Sequence, residues 1–311
     1  MIIFDAHCDT LQKITDFGGS LQKNSFNLDA GRIKEFSDSY VQVFAAFIDR
    51  KENALPPFQR CTQLVERYFS EIKECSEVIR HCETYEEIKT NTRNGRIAAL
   101  LGIEGGEAIE GSLEKLRLFY EKGVRVMTLT WNYSNEICDG IGEERGGGLT
   151  AFGKKVVSEM NSMGMLIDVS HISVKGFWDV MEMTTSPVAA THSNAFGVCP
   201  HKRNLNDSQI KAIIKNNGCI GINLYPPFLS KKSASISDIL KHVEYILALG
   251  GKNNIGLGCD FDGVDELPEG ISDVRDLHKL FDEMSRLGYT DLLIRNICSG
   301  NFLRLAEKIF I

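Results

Sequence analysis

The chain has 311 residues, 43% of them hydrophobic and 25% charged, with a formal net charge of −7. Those proportions match ordinary soluble globular proteins and exclude disordered, collagen-like and coiled-coil classes. The acidic balance, with no Lys/Arg run longer than two residues, argues against a nucleic-acid partner. No stretch approaches the ~18–20 apolar residues of a membrane-spanning helix, so no membrane partner is expected. The opening Met1-Ile2-Ile3-Phe4-Asp5 meets a charge at once and carries no export signal. The nine cysteines are odd in number and form no CxxC pair. Buried free thiols in a reducing, cytoplasmic setting are expected, without disulfides.

Eight short apolar runs, bounded by turn signals, read as strands. They are Ile2–Asp5, Val41–Ile48, Ile97–Leu101, Val124–Leu129, Met165–Val169, Val188–Ala190, Cys219–Leu224 and Ile255–Gly258. Several are almost wholly apolar, as for parallel strands covered on both faces. Helical periodicity lies between most of them. Phe58–Arg80 places Cys61, Leu64, Val65, Tyr68, Ile72 and Cys75 on one stripe. Thr150 is placed to cap a helix through Val156, Val157 and Met160 that stops at Gly164. Ser237 is placed to cap another through Leu240, Val243, Ile246 and Leu247, ending near Gly250. Thr290 opens the last, through Leu303 and Ile309.

Alternating strands and helices predict a parallel sheet. With eight strands and no break in composition, the chain reads as α/β, a single closed (β/α)8 TIM-barrel domain over residues 1–311. The alternative is an open doubly wound sheet. Its G-x-G-x-x-G sequence after the first strand is absent, and Gly146-Gly147-Gly148 follows no strand.

In such barrels the active site is built at the C-terminal ends of the strands. Five of the eight runs end in metal-ligating or acid–base residues: His7 and Asp9, Glu104, His171, His192, and Asp260. The fourth run ends in Trp131 and Asn132, the seventh in Asn223 and Tyr225. Strict alternation along Asp5-Ala6-His7-Cys8-Asp9 puts Asp5, His7 and Asp9 on one face. His7 and Asp9 can then bind one cation, with Asp5 orienting a ligand from below and Cys8 in the barrel wall. Alone, that triplet reads equally well as a polar strand end that caps a helix. Glu104, flanked by Gly102, Gly105 and Gly106, suits a bridge between two cations. Glu107 lies past the strand and suits it less. Imidazoles at His171 and His192 are ordinary zinc ligands. His81, His242 and His278 fall in helical stretches and are expected in solvent, while His201 is in a loop. Asp260, first after the eighth run, can move a proton near a metal-held water. Asp262 is two residues on. Arg203 could clamp a substrate carboxylate.

These segments in this order resemble the membrane dipeptidase (renal dipeptidase-like) family of the amidohydrolase superfamily. The likeness runs from Asp5-Ala6-His7-Cys8-Asp9-Thr10 through Ile103-Glu104-Gly105-Gly106 and Leu166-Ile167-Asp168-Val169-Ser170-His171 to Thr191-His192-Ser193-Asn194. It continues at Arg203-Asn204 and ends at Gly258-Cys259-Asp260-Phe261-Asp262-Gly263-Val264. The resemblance implies a binuclear zinc barrel that cleaves dipeptides, often with a D-residue at the C-terminal position. By resemblance, His7, Asp9 and Glu104 hold one Zn2+, and Glu104, His171 and His192 hold the other. Asp260 is the acid/base, and Arg203, with Tyr225, holds the substrate carboxylate. Many members carry a histidine after the fourth strand that steadies the oxyanion. Here the stretch is Leu129-Thr130-Trp131-Asn132-Tyr133, and Trp131 or Asn132 would have to supply the donor.

The expected function is therefore a zinc-dependent dipeptidase in which a hydroxide held between two metal ions attacks a short peptide. Two other readings compete: a binuclear metallohydrolase of another amide or ester bond, and a non-catalytic metal-binding barrel. The ligand types also accept manganese or cobalt. A small peptide is the expected partner, and a homodimer is the base-rate assembly.

Overall fold

The computed structural model describes residues 1–48 and 54–311. Nine parallel strands form one sheet: β1 Ile2–Cys8, β2 Ser39–Phe47, β3 Ile79–His81, β4 Ile97–Glu104, β5 Val124–Thr128, β6 Leu166–Asp168, β7 Ala189–Ala190, β8 Cys219–Ile222 and β9 Ile255–Leu257. Eight of them are the staves of a closed barrel, in the order β1, β2, β4, β5, β6, β7, β8, β9, with β9 returning to β1. The expected (β/α)8 barrel is the fold observed. No helix among the described residues is long and apolar enough to cross a membrane.

The ninth strand was not expected. β3 pairs with the first residues of β4, Ile79 opposite Ile97, while β5 pairs with β4 only from Leu101 onward. β3 thus fills the stretch of β4 that the shorter β5 leaves uncovered. The helix anticipated over 58–80 accordingly stops at Glu74. Ile79 is buried, and the His81 Nδ1 lies 2.9 Å from the Tyr68 hydroxyl. His81 is therefore a strand residue, largely buried, and burial lowers its pKa to about 4.

Two further expectations are corrected. The helix Ile236–Ala248 is capped by Ser235, two residues before Ser237, because Asp238 accepts the Ser235 N–H at 2.9 Å. His242 is fully buried in that helix, taking the Ala195 N–H on Nδ1 and facing Leu229 O through Nε2. His278 is in an exposed helical stretch as anticipated. Thr150 caps Ala151–Met163 by accepting the Gly153 N–H, and left-handed Gly164 ends it. Thr290 caps Asp291–Arg295, and a wide turn at Asn296–Gly300 leads into the C-terminal helix Asn301–Ile309.

That last helix closes the barrel from below. Inward residues of the staves, among them Phe4, Ala6, Val41, Val43, Ala98, Leu100, Val126 and Leu166, pack with Phe302, Leu305 and Ala306 in one buried cluster. Phe302 stacks on Phe4 with centroids 5.3 Å apart. It fits because position 256 is glycine: a Cβ there would lie 2.3 Å from the Phe302 ring. Outward residues such as Ile97, Ala99, Leu101 and Ile103 join the larger cluster beneath the surrounding helices.

β1 departs from simple alternation. Asp5 pairs with Gln42 but Cys8 with Phe44, so three residues of β1 stand against two of β2. This bulge keeps Phe4 and Ala6 inside, sends Cys8 to the outer layer, and turns His7 back over the barrel mouth. Asp5 therefore does not share the face of His7 and Asp9. Its carboxylate accepts the Cys259 N–H at 2.9 Å and the His7 backbone N–H at 3.4 Å, and does not touch the imidazole. Burial pushes its pKa up to about 6.

Phe302→Ala should lower the free energy of urea unfolding by about 3–5 kcal/mol, because it empties the barrel floor. A change below about 1 kcal/mol would mean that this helix does not plug the barrel.

Candidate metal centre

The strand ends converge on Glu104, the last residue of β4, which is 3% exposed. Its two carboxylate oxygens face different partners. Oε2 lies 3.2 Å from His7 Nε2, whereas Oε1 lies 3.0 Å from His171 Nε2 and 3.3 Å from His192 Nε2. His7 Nε2 is also 3.4 Å from Asp9 Oδ2 and 3.8 Å from Asp260 Oδ1. Five anticipated ligands and the anticipated acid/base are thus brought into one cluster. Within it, ligand atoms of His7, Glu104 and His192, and again of His7, Asp9 and Asp260, lie within 4.8 Å of one another.

The proton inventory shows what this cluster needs. Thr191 Oγ1 is 2.6 Å from Asp168 Oδ2 and 2.8 Å from His192 Nδ1. A hydroxyl has one proton, and a carboxylate can only accept it. Thr191 therefore donates to Asp168 and accepts from His192 Nδ1–H, which leaves a lone pair on His192 Nε2. Burial alone would raise the Asp168 pKa. The His192 imidazole and the Thr128 and Thr191 donors outweigh it, so its carboxyl stays below the usual range. His171 Nδ1 likewise faces the side-chain oxygen Oδ1 of Asn132 at 2.9 Å, so its Nε2 also carries a lone pair.

Burial, with Arg203 near His171 and His7 near His192, lowers both imidazole pKa values to about 4. Both are neutral at pH 7. Their Nε2 atoms stand 2.8 Å apart, with Glu104 Oε1 beside them. Three groups able to accept face one another, an arrangement that a bound cation satisfies. On the other side, His7 Nε2 and Asp9 Oδ1 are buried without a hydrogen-bond partner. Burial works against charge on His7, but Glu104 and Asp9 outweigh it and hold its pKa well above the ordinary value. The residues fit metal ions.

The backbone is bent to make this fit. His171 and Asp260 both sit at positive φ, 63° and 62°. Ile141 N–H donates to His171 O at 2.6 Å, and Asp260 N–H to His7 O at 3.1 Å, which holds both strained turns. Gly263 lies against the site so closely that a Cβ would fall 2.1 Å from Asp9 Oδ2 and 2.5 Å from Asp260 Oδ1.

Other anticipated residues take different places. Asp262 accepts the Asn27 N–H at 2.6 Å and the Thr10 hydroxyl, outside the ligand cluster. Glu107 is buried in the turn after β4 and accepts from Asn135 Nδ2 at 3.1 Å. Asn132 lines the cleft but commits its side-chain Oδ1 to His171. Asp260 Oδ2 accepts from Asn223 Nδ2 at 2.7 Å. Asp168, Thr191 and Asn223 were not assigned site roles from sequence. The available signal was Asp168 itself, a carboxylate inside the apolar run Leu166–Val169.

Above the cluster opens a cleft of ≈ 470 Å³, whose walls include Phe47, Trp131, Tyr225 and Phe228. Arg203 borders a smaller adjoining cavity that shares His171 with it. The arginine is 6% exposed, donates to His192 O at 3.1 Å and Ser193 Oγ at 3.4 Å, and shows no carboxylate within ion-pair distance among the described residues. Its Nε has no partner, and burial lowers its pKa to about 10. It is a buried cation in want of an anion.

Residues 1–310 match the sequence profile of the membrane dipeptidase family, peptidase family M19. The chain belongs to that family. A dipeptidase of Aspergillus oryzae, aclJ, is 39% identical over 216 residues, which is 68% of this chain and 51% of the relative. The chain therefore matches about half the length of that protein. An uncharacterised Klebsiella pneumoniae protein encoded in the pqqA 5′ region is 34% identical over 243 residues, 75% of this chain and 89% of the relative. A crystal structure of a Rhodobacter sphaeroides metallopeptidase, liganded with a phosphinate mimic of L-Ala-D-Ala, superposes with a TM-score of 0.91. It is 26% identical and covers 99% of each chain.

Dialysis against a chelator should lower the thermal midpoint of this family member by several degrees, and added zinc or manganese should restore it. A midpoint indifferent to both treatments would mean that no cation joins these acceptors.

Proposed function

We propose that the protein is a two-zinc dipeptidase acting on short peptides, including those with a D-residue at the C-terminal position. The observation that carries this reading is the division of Glu104, one oxygen toward His7 and the other toward His171 and His192. In this reading His7, Asp9 and Glu104 hold one ion, and Glu104, His171 and His192 hold the other. Bound zinc ions polarise a carbonyl and lower the pKa of water. The phosphinate dipeptide mimic in the Rhodobacter sphaeroides structure supports a dipeptide, with a D-residue, as the substrate class.

The chain's own residues do the rest. Asp260 takes a proton from the attacking water at Oδ1 and returns it to the leaving amine. Burial raises its pKa from the ordinary carboxylate value, which makes it a better proton acceptor. Asn223 keeps its other oxygen occupied, so a single oxygen faces the reaction. Arg203 pairs with the free carboxylate of the substrate, which limits the substrates to short peptides. Tyr225 borders the same end of the cleft, 4.9 Å from the Phe228 ring, and Trp131 borders the other. Asn132 serves the substrate through His171. In this reading residues 1–311 form one domain, in a reducing compartment that the nine buried, unpaired thiols support.

Asp260→Asn should lower kcat by about 10²–10⁴ while the zinc content stays at the wild-type level. Full activity would remove Asp260 from proton transfer, and loss of zinc would make it a ligand. Arg203→Ala should raise KM about 10- to 100-fold for a free dipeptide and leave its C-terminal amide much less affected. An equal effect on both substrates would count against the clamp.

A further inference from the structure

Metal binding and proton transfer leave one feature of the barrel mouth unused. Phe47 ends β2 and Trp131 follows β5, on either side of β4 and Glu104. Their rings meet edge to face with centroids 5.2 Å apart. Tyr133 extends the row, 5.8 Å from Trp131, and the Trp131 ring reaches to 6.2 Å from that of His171. Phe47 and Trp131 are half-buried, and both line the cleft. The two rings pack on each other and present an apolar face to the cleft.

Its position says which part of a peptide it meets. Around the eight staves, β4 stands third and β8 seventh, so they lie on opposite sides of the barrel. Arg203 follows β7. Phe228, whose ring lies 5.4 Å from the guanidinium, follows β8. The aromatic pair and the Arg203–Phe228 pair therefore flank the metal ligands from opposite sides. With the carboxylate at Arg203, the C-terminal residue occupies that side. The N-terminal side chain is then directed at Phe47 and Trp131.

We infer that Phe47 and Trp131 select dipeptides whose N-terminal residue is large and apolar. The inference rests on the dipeptidase reading, with Arg203 as the carboxylate anchor. A benzyl or isobutyl group leaves water against the two rings. An anionic side chain would give up hydration there and find no partner on either ring.

The test compares zinc-loaded wild type with Trp131→Ala and Phe47→Ala, each checked for zinc content. The substrates are L-Phe-L-Ala, L-Ala-L-Ala and L-Asp-L-Ala. Wild type should favour L-Phe-L-Ala over L-Ala-L-Ala by about tenfold or more in kcat/KM. Either alanine variant should erase most of that ratio, and Trp131→Phe should keep it. A wild-type ratio near one, or a ratio unchanged in both alanine variants, would overturn the inference. Calorimetry with the phosphinate isosteres of L-Phe-L-Ala and L-Ala-L-Ala separates it from the reading beneath it. If no dipeptide is cleaved, the dipeptidase reading falls. A preference for the benzyl isostere that Trp131→Ala abolishes would still support the aromatic wall, and equal affinities would overturn it.

Discussion

Glu104 sets the constraint that the rest of the structure answers. Its carboxylate is buried among three imidazoles, with two more carboxylates close by on Asp9 and Asp260. In a medium of low polarity such a collection of lone pairs and negative charge is unfavourable unless cations compensate it. Two of the imidazoles and the Asp260 carboxylate are each aimed by a group that accounts for their remaining hydrogen-bonding atom. Asp168 acts through Thr191 on His192, Asn132 acts on His171, and Asn223 acts on Asp260. These partners determine which ring nitrogen carries the proton and so which lone pair enters the site.

The cost of that arrangement is borne by the barrel below it. The apolar layer of Phe4, Val41, Leu100 and Leu166, closed by Phe302, forms the packed floor on which the strained ends stand. Small residues then let the upper strands approach one another. A Cβ at Gly221 or Gly258 would fall 1.9 or 1.7 Å from Thr191 O. Glycine at both positions allows β8 and β9 to close against the segment that carries Thr191 and His192. The positive φ of His171 and Asp260 belongs to the same design: a turn immediately after a short strand brings the next side chain back over the barrel axis.

Much of this was legible in the chain. Parallel strands buried on both faces are continuous apolar runs, so each polar residue at a run's end stood out. His7, Asp9, Glu104, His171, His192 and Asp260 were found that way. The short strand Ile79–His81 was not, because three residues after a helix leave no periodicity to read. The bulge in β1 was equally hidden, since alternation alone predicts Asp5 on the face of His7. His242 looked solvated because a helix pattern does not say what the residues at 195 and 229 bring to it.

The barrel, its staves and the residue types at their ends can be read from the chain alone, because hydrophobic period and strand ends are local properties. Which oxygen of Glu104 faces which histidine, which ring nitrogen holds its proton, and the place of Asp5 in the wall are set by packing between distant segments. Those outcomes depend on the register between strands far apart in sequence, and no local pattern encodes it.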